Sequence, residues 1–187
     1  MYKILGLFPA IFLFSMGCQF TGDIHAQHDA AASEIGESTG TIAVVYDPGG
    51  SPFPAKTVKI LADELKARGY LVEIMTAGPE LLLAQSRYQA LILGSPVHGA
   101  EVLPPVKAFI SANPHLSIPV FAVLTGLFPK FYESYDLPNL TTLLGQSGIS
   151  LTGSIKIRMG TGKHKLKALV SGLVNAVDTA LGTLGQE

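Results

Sequence analysis

The sequence predicts an α/β domain: a five-stranded parallel sheet with helices on both faces. Short apolar runs rich in β-branched residues recur along the chain, separated by segments with helical periodicity or by Gly and Pro breakers. The runs are nearly continuous rather than alternating, as suits strands covered on both sides. Hydrophobic residues make up 48% of the 187 and charged residues 14%, which excludes a disordered chain and supplies a core for one domain. With 13 Lys plus Arg against 14 Asp plus Glu the net charge is −1, so no charge-driven attraction to nucleic acid is implied.

The first 18 residues read as an export signal. Lys3 precedes an apolar stretch over residues 4–14, too short for a permanent membrane span, and Ser15, Met16, Gly17 and Cys18 follow. Cys18 is the single cysteine, so it has no intramolecular disulfide partner. Gly17-Cys18 after an apolar run resembles the lipobox of bacterial lipoproteins, with Ser15 where that motif usually has Leu. The resemblance implies lipidation at Cys18 and a membrane-anchored protein of the cell envelope, facing the periplasm or the cell exterior. The alternative is an ordinary signal peptide cut after Ala26. Residues 19–40 are small and acidic without apolar period, a flexible tether. Residues 1–40 hold one of the 13 basic and four of the 14 acidic residues, which leaves 12 against 10 in residues 41–187, a balance of +2.

Residues 41–46 (TIAVVY) predict the first strand, and residues 47–55 (DPGGSPFPA) a breaker with three prolines and two glycines. Residues 56–69 then put Val58, Leu61, Ala62 and Leu65 on one helical face, with Gly69 as stop. Strands follow at 71–76 and 90–94, and residues 80–85 between them allow at most a turn or two of helix. Residues 104–112 open with proline in the first helical turn. A fourth strand covers 119–124, a short helix 137–148, and an edge-type alternating strand 149–159. The last segment keeps Leu166, Leu169, Val170, Leu173, Val174, Val177 and Leu181 in helical register. Strands alternating with helices require right-handed crossovers, and ligands of such sheets bind beyond the C-terminal strand ends.

Three loops therefore matter. After the third strand comes Gly94-Ser95-Pro96-Val97-His98-Gly99, then a helix containing Phe109; after the fourth come Thr125, Gly126, Leu127, Phe128, Phe131, Tyr132 and Tyr135. An apolar strand ending in this Gly-Ser-Pro-Val-His-Gly run, taken with the first strand, its loop and helix and the aromatic third loop, resembles the flavodoxin-like proteins over residues 41–184. That resemblance implies a three-layer sandwich that binds FMN noncovalently. It also implies electron transfer or flavin-dependent oxidoreduction, of the protoporphyrinogen oxidase or quinone reductase type, with a redox partner the sequence does not name. The carried-over contacts are Gly49, Gly50 and Ser51 for the phosphate, and Ser95, Pro96, Val97, His98, Gly99, Thr125, Gly126, Leu127, Phe131 and Tyr132 for the ring. An isoalloxazine ring needs a flat apolar slot, backbone donors and acceptors, and a stacking partner. The aromatic side chains of the third loop either stack on the ring or cap the sheet end, and His98 either touches the flavin or bonds a neighbour in its loop.

The first loop departs from the family. Flavodoxins cradle phosphate with amides and hydroxyls, whereas here Pro48, Pro52 and Pro54 lack amide hydrogens, Ser51 is the one hydroxyl and Asp47 adds an anion. The alternative function is a cofactor-free flavodoxin-fold lipoprotein that acts as a binding or scaffolding module. Gly160-Thr161-Gly162-Lys163 lacks the spacing of a nucleotide-binding P-loop, and Lys163, Lys165 and Lys167 read as a solvated basic face that could attract an anion, an acidic partner or lipid headgroups. No Gly-x-Ser-x-Gly elbow and no metal-ligand spacing occur, so neither catalytic side chains nor a metal are expected.

Overall fold

The computed structural model describes residues 40–127 and 135–184. Its elements are β1 (Thr41–Tyr46), α1 (Pro52–Ala67), β2 (Leu71–Thr76), a 3-10 turn (Gln85–Arg87), β3 (Ala90–His98), β4 (Glu101–Val102), α2 (Pro104–Ala112), β5 (Val120–Gly126), α3 (Asp136–Gln146), β6 (Leu151–Arg158) and α4 (Lys163–Leu184). Five strands pair in parallel in the order β2-β1-β3-β5-β6, and β4 joins β3 antiparallel. The parallel sheet is thus the expected one, with a two-residue sixth strand added.

Alternate residues of each central strand face opposite cores. Ile42, Val44, Ile92, Phe121 and Val123 pack with Leu61 and Leu65 of α1 and Leu173, Val174 and Val177 of α4. Ala43, Val45, Leu91, Leu93, Ala122 and Leu124 pack with Phe109 and Ile110 of α2 and Leu140 and Leu144 of α3. No described helix is long and apolar enough to cross a membrane.

Two boundaries differ from expectation by four residues each. Helix α1 begins at Pro52, four residues early, with Ser51 as its N-cap. The first helical amides have no intrahelical acceptor, so Pro52 and Pro54 lose nothing there and their ring preorganises φ. Strand β3 runs on through Pro96 to His98 rather than ending at Gly94, because β4 supplies the pairs Val97↔Val102 and His98↔Glu101 beyond the reach of β5. The predicted Gly94–Gly99 loop is consequently strand as far as His98, with the turn at Gly99 and Ala100, whose φ values of 60° and 67° match a two-residue hairpin turn.

The crossover from β2 to β3, residues 77–89, holds a single 3-10 turn. It is fastened from both sides. Asn113, the C-cap of α2, accepts from Leu83 N–H at 2.6 Å and donates to the carbonyls of Leu81 and Phe109, both at 2.8 Å. At the other end Glu73 of β2 pairs with Arg87 at 2.8 Å and accepts from the Tyr88 hydroxyl.

Tyr88 and Tyr70 carry a pH dependence. Burial, and then hydrogen bonding to Glu73 and Asp178 respectively, pushes each phenol up to about 12 from its ordinary 10.0. The folded chain therefore keeps protons that the unfolded chain sheds above pH 10, so this stabilisation is complete below that pH and is lost as pH rises through the folded value. We expect the denaturation midpoint to fall between pH 10 and about 12, and the slope to flatten in Tyr70→Phe combined with Tyr88→Phe. An unchanged slope in the double variant would assign the loss to other groups.

Candidate functional site

The C-terminal ends of β1, β3 and β5 lie side by side, and their following segments form the site. Asp47 N–H donates to Gly94 O at 3.0 Å, which lashes the start of the first loop to β3. Gly49 has φ +60°, and a Cβ there would come within 2.8 Å of Pro96 Cγ. Glycine is required at this position both for the left-handed backbone and for the approach of the proline ring. The structure thus brings the turn that holds Gly49, Gly50 and Ser51 up to Pro96.

Ser95 is buried, and its hydroxyl is already used: it donates to Pro96 O at 2.7 Å and accepts from Leu103 N–H at 3.1 Å. This ties the β3–β4 hairpin to the start of α2. Pro96 and Val97 are half-buried, while His98 and Gly99 are exposed. A Cβ added at Gly50 or at Gly99 would meet no heavy atom within 4 Å, so both glycines border open space. Thr125 is 3% exposed, and its Oγ1 has no hydrogen-bond partner among the described residues. Buried hydroxyls are normally paired, so an Oγ1 without a partner among the described residues is an exception at this edge. Gly126 is buried and Leu127 is 62% exposed. Phe131, Tyr132 and Cys18 lie outside the described residues.

Electrostatically the first loop is the unexpected part. Asp47 is 7% exposed and its Oδ1 accepts from Gly49 N–H at 2.7 Å, so the carboxylate folds back onto the loop's own amide. Its charge, after burial, helps to hold the Tyr46 hydroxyl above its ordinary range. Thr57 is fully buried and donates to Phe53 O at 2.9 Å, and Lys56 is exposed. Among the described residues the amides of the loop and first helical turn not consumed by Asp47, by Gly94, by proline or by the first intrahelical bond are those of Gly50, Ser51 and Phe53.

Other residues of this edge carry no mark in the sequence reading. Asp136, in the first turn of α3, is buried; its Oδ1 accepts from Leu137 N–H at 2.9 Å and pairs with Lys156 of β6. Its Oδ2 has no partner among the described residues. Asn139 of α3 donates to Ala100 O at 2.9 Å and so braces the left-handed turn. An acidic residue in a helix's first turn is a legible signal for Asp136; nothing local marks Asn139. A shallow cavity of about 230 Å³ between β4, α2 and α3 is lined by Glu101, Lys107, Asn139 and Gln146 among others. No group of three or more His, Cys, Asp or Glu among the described residues is arranged to hold a metal ion.

No protein-family model matches the chain, and no curated protein matches it. Solved structures do. A short-chain flavodoxin associated with a bacterial microcompartment superposes with a TM-score of 0.60 at 11% identity, covering 76% of this chain and 99% of that one. The flavodoxin, WrbA-like protein from Agrobacterium tumefaciens gives 0.58 at 15% identity, over 76% of this chain and 98% of that one. An NADH:FMN oxidoreductase in its apo form gives 0.58 at 17% identity, over 78% of this chain and 90% of that one. At such identities the likeness shows the fold: the chain has the flavodoxin-like α/β architecture. Gly50, Gly99 and the exposed Leu127 border open space at this edge, where the sequence reading set the ring against Gly99, Thr125 and Leu127 and the phosphate against Gly50. To the phosphate end the β1–α1 loop offers the amides of Gly50, Ser51 and Phe53 and the Ser51 hydroxyl, fewer donors than a proline-free loop would have, with the Asp47 carboxylate in the same loop.

Proposed function

We propose that this chain is a flavodoxin-fold protein that holds a flavin, FMN by family resemblance, at the C-terminal edge of its sheet for electron transfer or flavin-dependent oxidoreduction. The observation that carries the reading is the juxtaposition of the Gly49-Gly50 turn with Pro96 and the exposed His98-Gly99 turn, beside the Oγ1 of buried Thr125, which has no partner among the described residues. The resemblance to an NADH:FMN oxidoreductase and to flavodoxins supports it at the level of fold. The redox chemistry of such a protein belongs to its flavin; the chain positions it and sets its electrostatics. The protoporphyrinogen oxidase or quinone reductase type is the finer reading, and it rests on the faintly basic domain and the style of its loops.

Titration of the full chain with FMN, followed by quenching of flavin fluorescence, tests this. Saturation in the micromolar range or tighter, about 8 kcal/mol of binding, is the expected result. Gly50→Val then serves as the site control: open space surrounds a side chain there, so the fold is retained while quenching is lost. Gly99→Val is less clean because Gly99 has φ +60° and the substitution strains the turn itself. A colourless protein that quenches no flavin would instead favour the second reading, a cofactor-free binding or scaffolding module, which the inward-folded carboxylate of Asp47 supports.

Export and anchoring through Cys18 are part of the proposal, as is the 19–40 tether. Cys18→Ser is expected to move the protein from the membrane fraction to the soluble one. Unchanged fractionation would favour cleavage after Ala26.

A further inference from the structure

We infer that β2 is a docking edge for a second copy of this chain: two β2 strands pair antiparallel about a two-fold axis through Ile74 and join two parallel sheets into one. The surface lies at the margin of the sheet and does not depend on the flavin reading.

Among the described residues β2 has β1 as its one neighbouring strand. Leu71 N–H donates to Gly40 O at 2.9 Å and Ala77 N–H to Tyr46 O at 2.8 Å, so the odd-numbered residues turn their amides toward β1. Adjacent residues of a strand turn theirs to opposite sides, and the backbone groups of Val72, Ile74 and Thr76 therefore point outward. Natural edges are blunted by lysine, proline, a bulge or a covering segment. This one has no lysine or proline, and its register with β1 runs unbroken from Leu71 to Thr76. Its single charged residue, Glu73, is engaged by Arg87 and Tyr88. Leu71 is 56% and Ile74 45% exposed, so the strand presents apolar side chains beside its unpaired backbone.

Symmetry identifies the occupant. A two-fold axis perpendicular to the sheet opposes residues of like parity and keeps each side chain on its own face. Centred on Ile74, it sets Ile74 against the partner's Ile74, Val72 against the partner's Thr76 and Glu73 against the partner's Met75. The outward backbone groups of residues 72, 74 and 76 then fall into hydrogen-bonded pairs. Centred on Glu73, it would set two carboxylates directly opposite, which is unfavourable. The helices leave room for this. Helix α1 packs across β2, β1 and β3, whose middle strand is one in from the edge. Two α1 helices would stand three strand spacings apart, about 14 Å, against a helix diameter of about 10–12 Å. Beside β2 on the other face runs the crossover, which holds no α-helix.

Sedimentation of the full chain over a concentration series, joined to residue-resolved amide exchange, tests the inference. A dimer is expected with a dissociation constant of about 100 μM or below. In the dimer the amides of Val72, Ile74 and Thr76 should exchange at least about tenfold more slowly than in dilute protein, while those of Leu71, Glu73 and Met75 change little. Ile74→Lys is expected to weaken the dimer about 100-fold, because it sets two ammonium groups face to face across the axis. A chain still monomeric well above that concentration overturns the inference. So does a dimer in which the three outward amides gain no protection, since it joins through another surface. An undiminished dimer in folded Ile74→Lys overturns it as well. The wild-type mass and exchange pattern need no variant, so the inference stays decidable if Ile74→Lys fails to fold.

Discussion

Asn113→Leu is expected to lower the free energy of unfolding by about 3 kcal/mol, although it replaces one buried side chain by another of similar size. Asn113 is 6% exposed and makes three hydrogen bonds with its amide group. Removal strands Leu83 N–H and the carbonyls of Leu81 and Phe109, and an unpaired buried polar group costs about 1–3 kcal/mol. The hydrogen bonds to the two crossover groups are only partly buried, so the lower end of that range applies to each. The effect is also local. Residues 77–89 cross from one side of β1 to the other with no α-helix to satisfy their backbone, and Asn113 supplies what such a helix would have supplied internally. The Leu83 amide should exchange with solvent on the order of 100-fold faster in the variant. A loss below about 1 kcal/mol with unchanged exchange at Leu83 would mean that the apolar packing of Leu81 and Leu83 holds the crossover without it.

Gly94→Val is expected to cost about 3 kcal/mol and, unlike Gly50→Val, to lose fold and ligand binding together. A Cβ at Gly94 would stand 2.7 Å from Tyr46 Cβ and 3.6 Å from both Tyr46 Cα and Val58 Cγ2. Tyr46 and Gly94 are register partners in adjacent strands, so relief requires β1 and β3 to separate or α1 to lift. Either movement breaks the Asp47 N–H to Gly94 O bond that holds the first loop against the second. Guanidinium denaturation and flavin titration of the same preparation check both effects. Full stability with lost binding would place Gly94 in ligand contact rather than in strand packing.

These two sites illustrate how differently parts of the molecule can be read. Gly94 stands out in the sequence because it ends an apolar run, and α2 matches its expected range residue for residue because a proline pair opens it. The prolines at 52 and 54 mislead, since the same residue type that breaks a helix interior is at home in its first turn. Ser95-Pro96-Val97-His98 reads as loop because no local signal announces the two-residue strand that pairs with it. Asn113 has no visible role in the sequence, because its crossover partners lie about thirty residues away.

Burial on one or both faces of an element repeats along the chain at the period of that element, so the pattern of apolar residues is enough for the alternation of strands and helices and the coverage of both sheet faces. Polar side chains carry no such period. Whether the Asp47 carboxylate faces solvent, a ligand or its own loop depends on where Gly94 and Pro96 lie in space, and those belong to a strand more than forty residues further on. The same holds for Thr125, left without a described partner, and for Asp136, which meets Lys156 across α3 and β6. Hydrogen bonds and ion pairs between distant segments form only once the sheet has brought those segments together, and so the chemistry of the edge is a property of the tertiary structure.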